Sequence, residues 1–218
     1  MSIGRSQIRS LVVAAIVLQP LFAAPKAMVA DETSRGSAAG EPASVILAVQ
    51  LDSPDFTLRE FKYRVFYNKS EIKKIPLTDY DFKAAFTDEL LTALSEDKRM
   101  SYRKQSSDEV VDVIATWDRK VNPPAVNADR ILLAHIQEYG AFTASLAADK
   151  FYMTARFRLI NRATGKKLWE KKLFEKIDLN GNVAELQANN QKGLKEGINK
   201  VLEKLCGKLA AEIRGANM

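Results

Sequence analysis

The stretch FYMTARFRLINRATGKKLWEKKLFEKI, Phe151 to Ile177, constrains this chain most. Two strand-length segments flank a short polar break that ends in Gly165-Lys166. Gly-Lys also occurs in phosphate-binding loops, which need a glycine five residues earlier and a Ser or Thr directly after the lysine. Here Ile160 and Lys167 hold those places, and the segment that follows has the length and composition of a strand. A phosphate loop must lead into a helix whose N-terminus faces the anion. The spacing therefore predicts a β-hairpin, with Asn161 and Thr164 in the turn and Gly165 in the left-handed position of a type I turn plus bulge.

The rest of the chain supplies partners for that hairpin. Ser44 to Leu51 is a continuous apolar run of strand length, as expected for a strand buried on both faces. Phe61, Tyr63, Val65 and Tyr67 then alternate with Lys62, Arg64 and Phe66, a period of two that predicts a strand. Asn68-Lys69-Ser70-Glu71 is expected to turn the chain and Ile72 to Ile75 to return it, as an inserted β-hairpin. Thr78 to Asp97 has an apolar stripe at helical spacing, with Thr78 or Asp79 as the cap. Met100 begins a short strand. Ser106 and Glu109 form an S-x-x-E capping box ahead of Val110, Val113, Ile114 and Trp117, which predicts a second helix ending before Asn122-Pro123-Pro124.

Ala128 to Gly140 contains a further strand, and Asn180-Gly181-Asn182 closes the last one. From Val183 to about Arg214 the chain reads as one amphipathic helix, with Leu194, Ile198, Val201, Leu202, Leu205, Leu209 and Ile213 on one side. Glu196–Lys200 and Lys208–Glu212 stand at i,i+4 on the other side. The order predicts one α/β (α+β) domain over residues 44–214. Its mixed four- to five-stranded sheet is packed by two middle helices and the long C-terminal helix, with the hairpin inserted.

The N-terminus has a different character. Arg5 and Arg9 precede an apolar run from Leu11 to Ala24, and Ala24, Ala27 and Ala30 follow. That pattern predicts a secretory signal peptide over 1–30 and a small, polar, disordered leader over 31–43. The apolar run is shorter than the roughly 20 residues of a spanning helix. The chain is thus expected to be periplasmic after cleavage. Of its 33 basic residues, Arg5, Arg9 and Lys26 leave with the signal, so 30 bases face 27 acids. A balance of +3 gives no electrostatic footprint for nucleic acid.

Few residues point to chemistry. His135 is the single histidine and lies inside a strand, where a structural role is expected; zinc sites built on histidine use two or three. Cys206 is the single cysteine, so no internal disulfide can form, and its place on the C-terminal helix predicts a small buried hydrophobe. No catalytic, cofactor-binding or metal-binding residues are assigned, and no cofactor is expected. The aromatic cluster Phe56, Phe61, Tyr63, Phe66 and Tyr67 offers a candidate partner surface, because aromatic side chains are favoured at interfaces. Core packing is the alternative for the same residues.

Ala128-Asp129 before a strand, and Thr164 to Trp169 (TGKKLW) between two strands, resemble the habit of bacterial envelope proteins with a TolB amino-terminal-like domain, including the curli secretion subunit. The resemblance implies a non-enzymatic role in binding other envelope proteins during assembly, secretion or transport. Relatives of that kind are often lipoproteins, whereas this chain has no cysteine after its apolar run. The expected partner is an envelope protein, bound through the aromatic hairpin or an exposed sheet edge. One alternative is an auxiliary or ligand-carrying subunit of a lipid or small-molecule export system, with a groove between the sheet and the C-terminal helix. A hydrolase of unrecognised type is another, marked by a polar pocket with perturbed carboxylates. The oligomeric state is not legible in the sequence.

Overall fold

The computed structural model describes residues 41–64, 67–118, 125–144, 147–179 and 183–216. The expected signal peptide, most of the leader, the Asn122–Pro124 and Asn180–Asn182 breaks and Phe66 lie outside these residues. Seven strands and three helices follow in the order β1 (Ala43–Leu51), β2 (Phe56–Arg64), β3 (Tyr67–Ile75), α1 (Phe82–Leu94), β4 (Met100–Lys104), α2 (Val113–Trp117), β5 (Arg130–Ala144), β6 (Ala147–Asn161), β7 (Lys167–Asp178) and α3 (Val183–Gly215). All seven strands belong to one mixed sheet. The α+β class, the long C-terminal helix and the inserted hairpin are as expected from the sequence.

β5 organises the sheet. Along one side it pairs in parallel first with β1, from Val45↔Arg130 to Leu51↔Ile136, and then with β2, from Thr57↔Gly140 to Phe61↔Ala144. Along its other side it pairs antiparallel with β6. β1 and β2 thus lie end to end against one long strand, and Asp52 to Asp55 bridge the gap between them. A register shift between Ile136 and Glu138 makes the matching irregularity in β5. There Gly140 meets Thr57 so closely that a Cβ at 140 would sit 1.8 Å from the Thr57 carbonyl oxygen. β4 joins β1 in parallel, and β7 joins β6 antiparallel.

The TGK hairpin forms as its composition dictates. Gly165 has φ 64° and donates its N–H to the Asn161 carbonyl at 2.9 Å. The Asn161 side chain accepts from the Thr164 N–H at 3.0 Å. The stretch at Ala128-Asp129 and the turn from Asn161 to Lys167 also meet in space. The Asp129 carboxylate accepts from the Ser44 N–H and hydroxyl, both at 2.8 Å, and the Asp129 carbonyl accepts the Arg162 N–H at 3.0 Å. Asp129 therefore ties the start of β1 to the β6–β7 turn, and its bonds from Ser44 hold its carboxyl below the usual range.

Three local expectations are corrected. The inserted hairpin reverses between Arg64 and Tyr67, which are register partners, so Asn68 to Glu71 lie within β3. Their polarity reads as a turn, but an edge strand tolerates the same residues. α1 starts at Phe82 with Asp81 as its cap, the carboxylate accepting from the Ala84 N–H at 2.9 Å. Asp79 instead sits at φ 50° in the preceding turn. Ser106 and Glu109 do bond, at 3.1 Å and 2.8 Å, but they close a loop; α2 begins later, capped by Asp112, and Val110 is exposed. Glu109 also takes both Arg103 amino groups at 2.7 Å and the Asn127 N–H at 3.1 Å.

α1 and α3 cover one face of the sheet. Phe82, Phe86, Leu90 and Leu94 of α1, and the expected apolar stripe of α3, are buried with Cys206 in the main core. Burying each Leu or Phe contributes about 1.5–3 kcal/mol. α3 is interrupted at Ala188 to Gln191, where Asn189, Asn190 and Gln191 have φ of 51°, 56° and 60°. Gln191 secures that break, accepting from the Thr78 N–H at 2.9 Å and donating to the Pro76 carbonyl at 3.0 Å. Lys208 and Glu212 reach across to β7, where Glu175 and Lys171 receive them at 2.5 Å and 3.0 Å. The buried Glu175 carboxylate also draws Lys204 to 3.3 Å, since a buried charge needs partners more than exposed residues need an i,i+4 pair. On the opposite face a smaller core forms where Val113 and Trp117 of α2 pack on Ile46, Ile131, Leu133 and Ile160.

Gly140→Ala should destabilise the protein by about 1–3 kcal/mol in urea unfolding, because β2 and β5 must separate to admit the methyl group. Hydrogen bonds from Arg103 hold the Glu109 carboxyl well below its ordinary value of 4.5. A depressed folded value means this contribution is present above pH 4.5 and is lost as the pH falls below it. The melting-temperature gap between wild type and Glu109→Gln should therefore hold steady from neutrality down to about pH 4.5 and shrink as the pH is lowered below that value.

Candidate functional site

The side chains that alternate along each strand divide between the two faces. On the α2 face, helical cover reaches only the half of the sheet nearest Ile46, Ile131 and Ile160. Trp117 marks its limit, with the Arg156 and Arg158 guanidinium carbons 4.8 Å and 4.3 Å from its ring centroid. Beyond it, among the described residues, no helix packs on that face across β2, β3, the second half of β5, β6 and β7. A sheet face turned to water is normally polar. This one carries a row of rings instead, in which Tyr152 is itself buried, at 4% exposed, between a half-buried Phe142 and an exposed Phe174. Phe142 on β5 lies 5.7 Å from Tyr152 on β6, which lies 6.3 Å from Phe174 on β7. Phe174 is 48% exposed, and Ile72 on β3 of the same face is 56% exposed.

A polar network lies in the middle of this surface. Arg59 on β2 binds both oxygens of Glu138 on β5, with Nη2 at 2.8 Å and 2.7 Å and Nε at 3.0 Å. The Tyr152 hydroxyl donates to the same carboxylate at 2.8 Å and accepts from Arg59 Nε at 3.1 Å. Burial acts to raise the Glu138 pKa, but the bonds from Arg59 and Tyr152 outweigh it and keep the carboxyl below its ordinary range. Burial, together with the bond to Glu138, pushes the Tyr152 phenol up. At neutral pH the network is therefore a fixed ion pair buttressed by a neutral tyrosine, which holds the aromatic row rigid. Cations surround it: Lys74 donates to the Thr57 hydroxyl at 2.7 Å, and Lys172 and Lys176 stand two residues either side of Phe174 on β7.

The aromatic residues that the sequence offers as a partner surface separate here. Phe56 is fully buried and packs edge-on against Tyr139 and Phe151, at 6.3 Å and 6.1 Å, so it belongs to the core and not to any surface. Its strand position faces α1, an outcome its neighbours in sequence do not reveal. Phe61 is half-buried on β2, opposite Ser70 and Ala144. Tyr63 and Tyr67 take their places in β2 and β3, Tyr67 in the pair that closes the reversal and Tyr63 in the pair next to it. The ring row was missed because Phe142, Tyr152 and Phe174 are far apart in sequence; only β5–β6–β7 pairing aligns them. The signal that could have found it is the alternation in FYMTARF and KLFEKI, which places Tyr152 and Phe174 opposite the apolar face.

Other features that bear on chemistry are modest. His135 meets Asp52 at 2.6 Å, at the gap between β1 and β2. Cys206 is buried, which pushes its thiol up and makes it unreactive. A groove of about 520 Å³ lies at the C-terminal ends of β1 and β4, lined by Val49, Lys83, Lys104, Ser106 and Glu109. A second, of about 420 Å³, lies between Trp169 on β7 and Lys208, Ala211 and Glu212 on α3. Among the described residues, no three His, Cys, Asp or Glu side chains cluster to hold a metal, and no helix is long and apolar enough to cross a membrane.

No protein-family model and no curated protein matches the chain in sequence. Its fold is shared with the hypothetical protein CT253 from Chlamydia trachomatis, at TM-score 0.51 and 13% identity, over 79% of this chain and 96% of that one. More distant likenesses include protein XCC0632 from Xanthomonas campestris, at TM-score 0.48 and 8% identity over 80% of this chain and 88% of that one. Lipoprotein GNA1162 from Neisseria meningitidis follows at TM-score 0.39 and 15% identity, over 80% of this chain and all of that one, 100%. The shared fold with CT253 is what these likenesses establish. The TolB-like resemblance continues to rest on Ala128, Asp129 and Thr164 to Trp169.

The Arg59–Glu138 pair is testable as a unit. Arg59→Met alone strands the Glu138 carboxylate and should destabilise more than the double variant Arg59→Met/Glu138→Leu. Urea unfolding of the four-member cycle should return a coupling energy of about 1–3 kcal/mol.

Proposed function

We propose that this protein is a non-enzymatic accessory protein of the bacterial cell envelope, and that it binds another envelope component through the uncovered sheet face. The observation that carries the reading is the ring row Phe142–Tyr152–Phe174, braced by the Arg59–Glu138 pair on a face that water alone would keep polar. Aromatic and arginine side chains in a rigid patch are the usual anchors of protein interfaces. The basic N-terminal residues and the apolar run from Leu11 to Ala24 support export, and the Asp129 and TGKKLW residues support an envelope role of the TolB-like kind. Among the described residues, every carboxyl group with a clear shift, including Glu109, Glu138, Glu170 and Glu175, is lowered by an ion pair or hydrogen bond. That pattern supports a structural role for these acids, since a general acid needs a raised value.

The groove between β7 and α3 favours a second reading, an auxiliary or ligand-carrying subunit of an export system. Its position beside Trp169 suits the apolar part of a small molecule. The two readings separate experimentally. Ile72→Asp and Phe142→Ser alter the sheet face and leave the groove intact. Cross-linking in envelope extracts should recover one component with wild-type protein and lose it with both variants, while circular dichroism shows the fold retained. Recovery of the same component by both variants overturns the sheet-face reading. An apolar molecule retained in native mass spectrometry, and displaced by Ala211→Trp, would favour the groove.

A further inference from the structure

We propose that the outer edge of β7 pairs with the same edge of a second copy of this chain, antiparallel about Leu173, so that two sheets join into one. Among the described residues no strand pairs with that edge. Its hydrogen-bonding groups can be assigned. Leu179 donates to the Asp149 carbonyl, while Lys204 reaches the Lys176 carbonyl from outside at 3.1 Å; the Asn161 bond to the Lys166 carbonyl lies beyond the register shift at Leu159/Ile160. With Leu159↔Trp169 and Phe151↔Ile177 in register, the odd residues of β7 bond to β6. Glu170, Lys172, Phe174 and Lys176 therefore turn their N–H and carbonyl groups outward. Such an edge is a template for another strand.

The sequence of the edge selects its occupant. In an antiparallel pair, facing residues must share the same bonding role, so the two-fold axis falls on a residue. With the axis at Leu173, Glu170 faces Lys176 of the second copy, Lys171 faces Glu175, Trp169 faces Ile177 and Lys172 faces Phe174. Each facing lysine thus meets an acid or a ring, and each contact occurs twice. Moving the axis to Lys172 sets that lysine against itself. Moving it to Phe174 sets Lys172 against Lys176 and Glu170 against Asp178. Like charges directly opposite are destabilising, so the pattern specifies one register. Lys204 gives up the Lys176 carbonyl and keeps its ion pair with Glu175. Phe174, 48% exposed, is covered, and the ring rows of two copies become one surface.

The inference stands apart from the envelope reading and is tested on the purified full chain. Analytical ultracentrifugation should show a monomer–dimer equilibrium. Lys176→Glu opposes two acids at both symmetric positions and should weaken the dimer about tenfold or more, with circular dichroism showing the monomer fold retained. The register is read by mixing Lys172→Cys protein with Phe174→Cys protein under oxidation. Facing residues lie about 5.5 Å apart at Cα, within disulfide reach, whereas a residue and its own copy two positions along lie beyond it. The mixture should form a cross-linked dimer and either variant alone should not. Wild-type protein that stays monomeric at every concentration, or a mixture that does not cross-link, overturns the proposal.

Discussion

The structure depends on β5 pairing with three strands at once. Its first half holds β1, its second half holds β2, and its whole length holds β6. Without it the β2–β3 hairpin would have no sheet to join, and a lone hairpin is marginal in water. The junction is where the geometry is tightest. β5 shifts register after Ile136, Gly140 lets the Thr57 carbonyl approach, and the Tyr139 hydroxyl donates to the Pro54 carbonyl across the gap. Tyr139 also stacks on Phe82 at 3.9 Å, so the same residue couples the junction to α1 and the main core.

From this follows the unequal cover of the two faces. α1 and the long α3 lie over the face that presents Leu132, Ala134 and Ile136. Among the described residues, the crossover on the other side is α2, of five residues, which is long enough to shelter Ile46 and Ile131 but not the far half of the sheet. That far half is where β2 and β3 were added. The inserted hairpin widens the sheet past the reach of the helix, and the surplus face becomes the aromatic surface. Its polar centre is satisfied internally, since Arg59, Glu138 and Tyr152 bond one another. The surface is therefore braced by its own side chains, the preorganisation on which the proposed binding role would draw.

Much of this was legible from local pattern. The TGK turn, the α1 and α3 stripes, the buried β1 and the inert Cys206 each depend on neighbours within a few residues, where spacing and turn chemistry decide. The errors have the same origin in reverse. Asn68 to Glu71 have turn composition but edge-strand positions, and Ser106 and Glu109 have cap spacing but close a loop, because Arg103 and Asn127 claim the Glu109 carboxylate. Phe56 reads as part of an aromatic hairpin surface, yet strand register turns it to the core.

By itself the sequence determined the class of fold, the hairpins, the helical faces and the absence of a phosphate loop. Each of these follows from backbone geometry and side-chain periodicity over short spans. Tertiary structure alone decided which aromatic rings align, which carboxylates are held by arginine and which sheet face the described helices leave uncovered. These depend on register between strands tens of residues apart, and a shift of one residue would exchange the two faces.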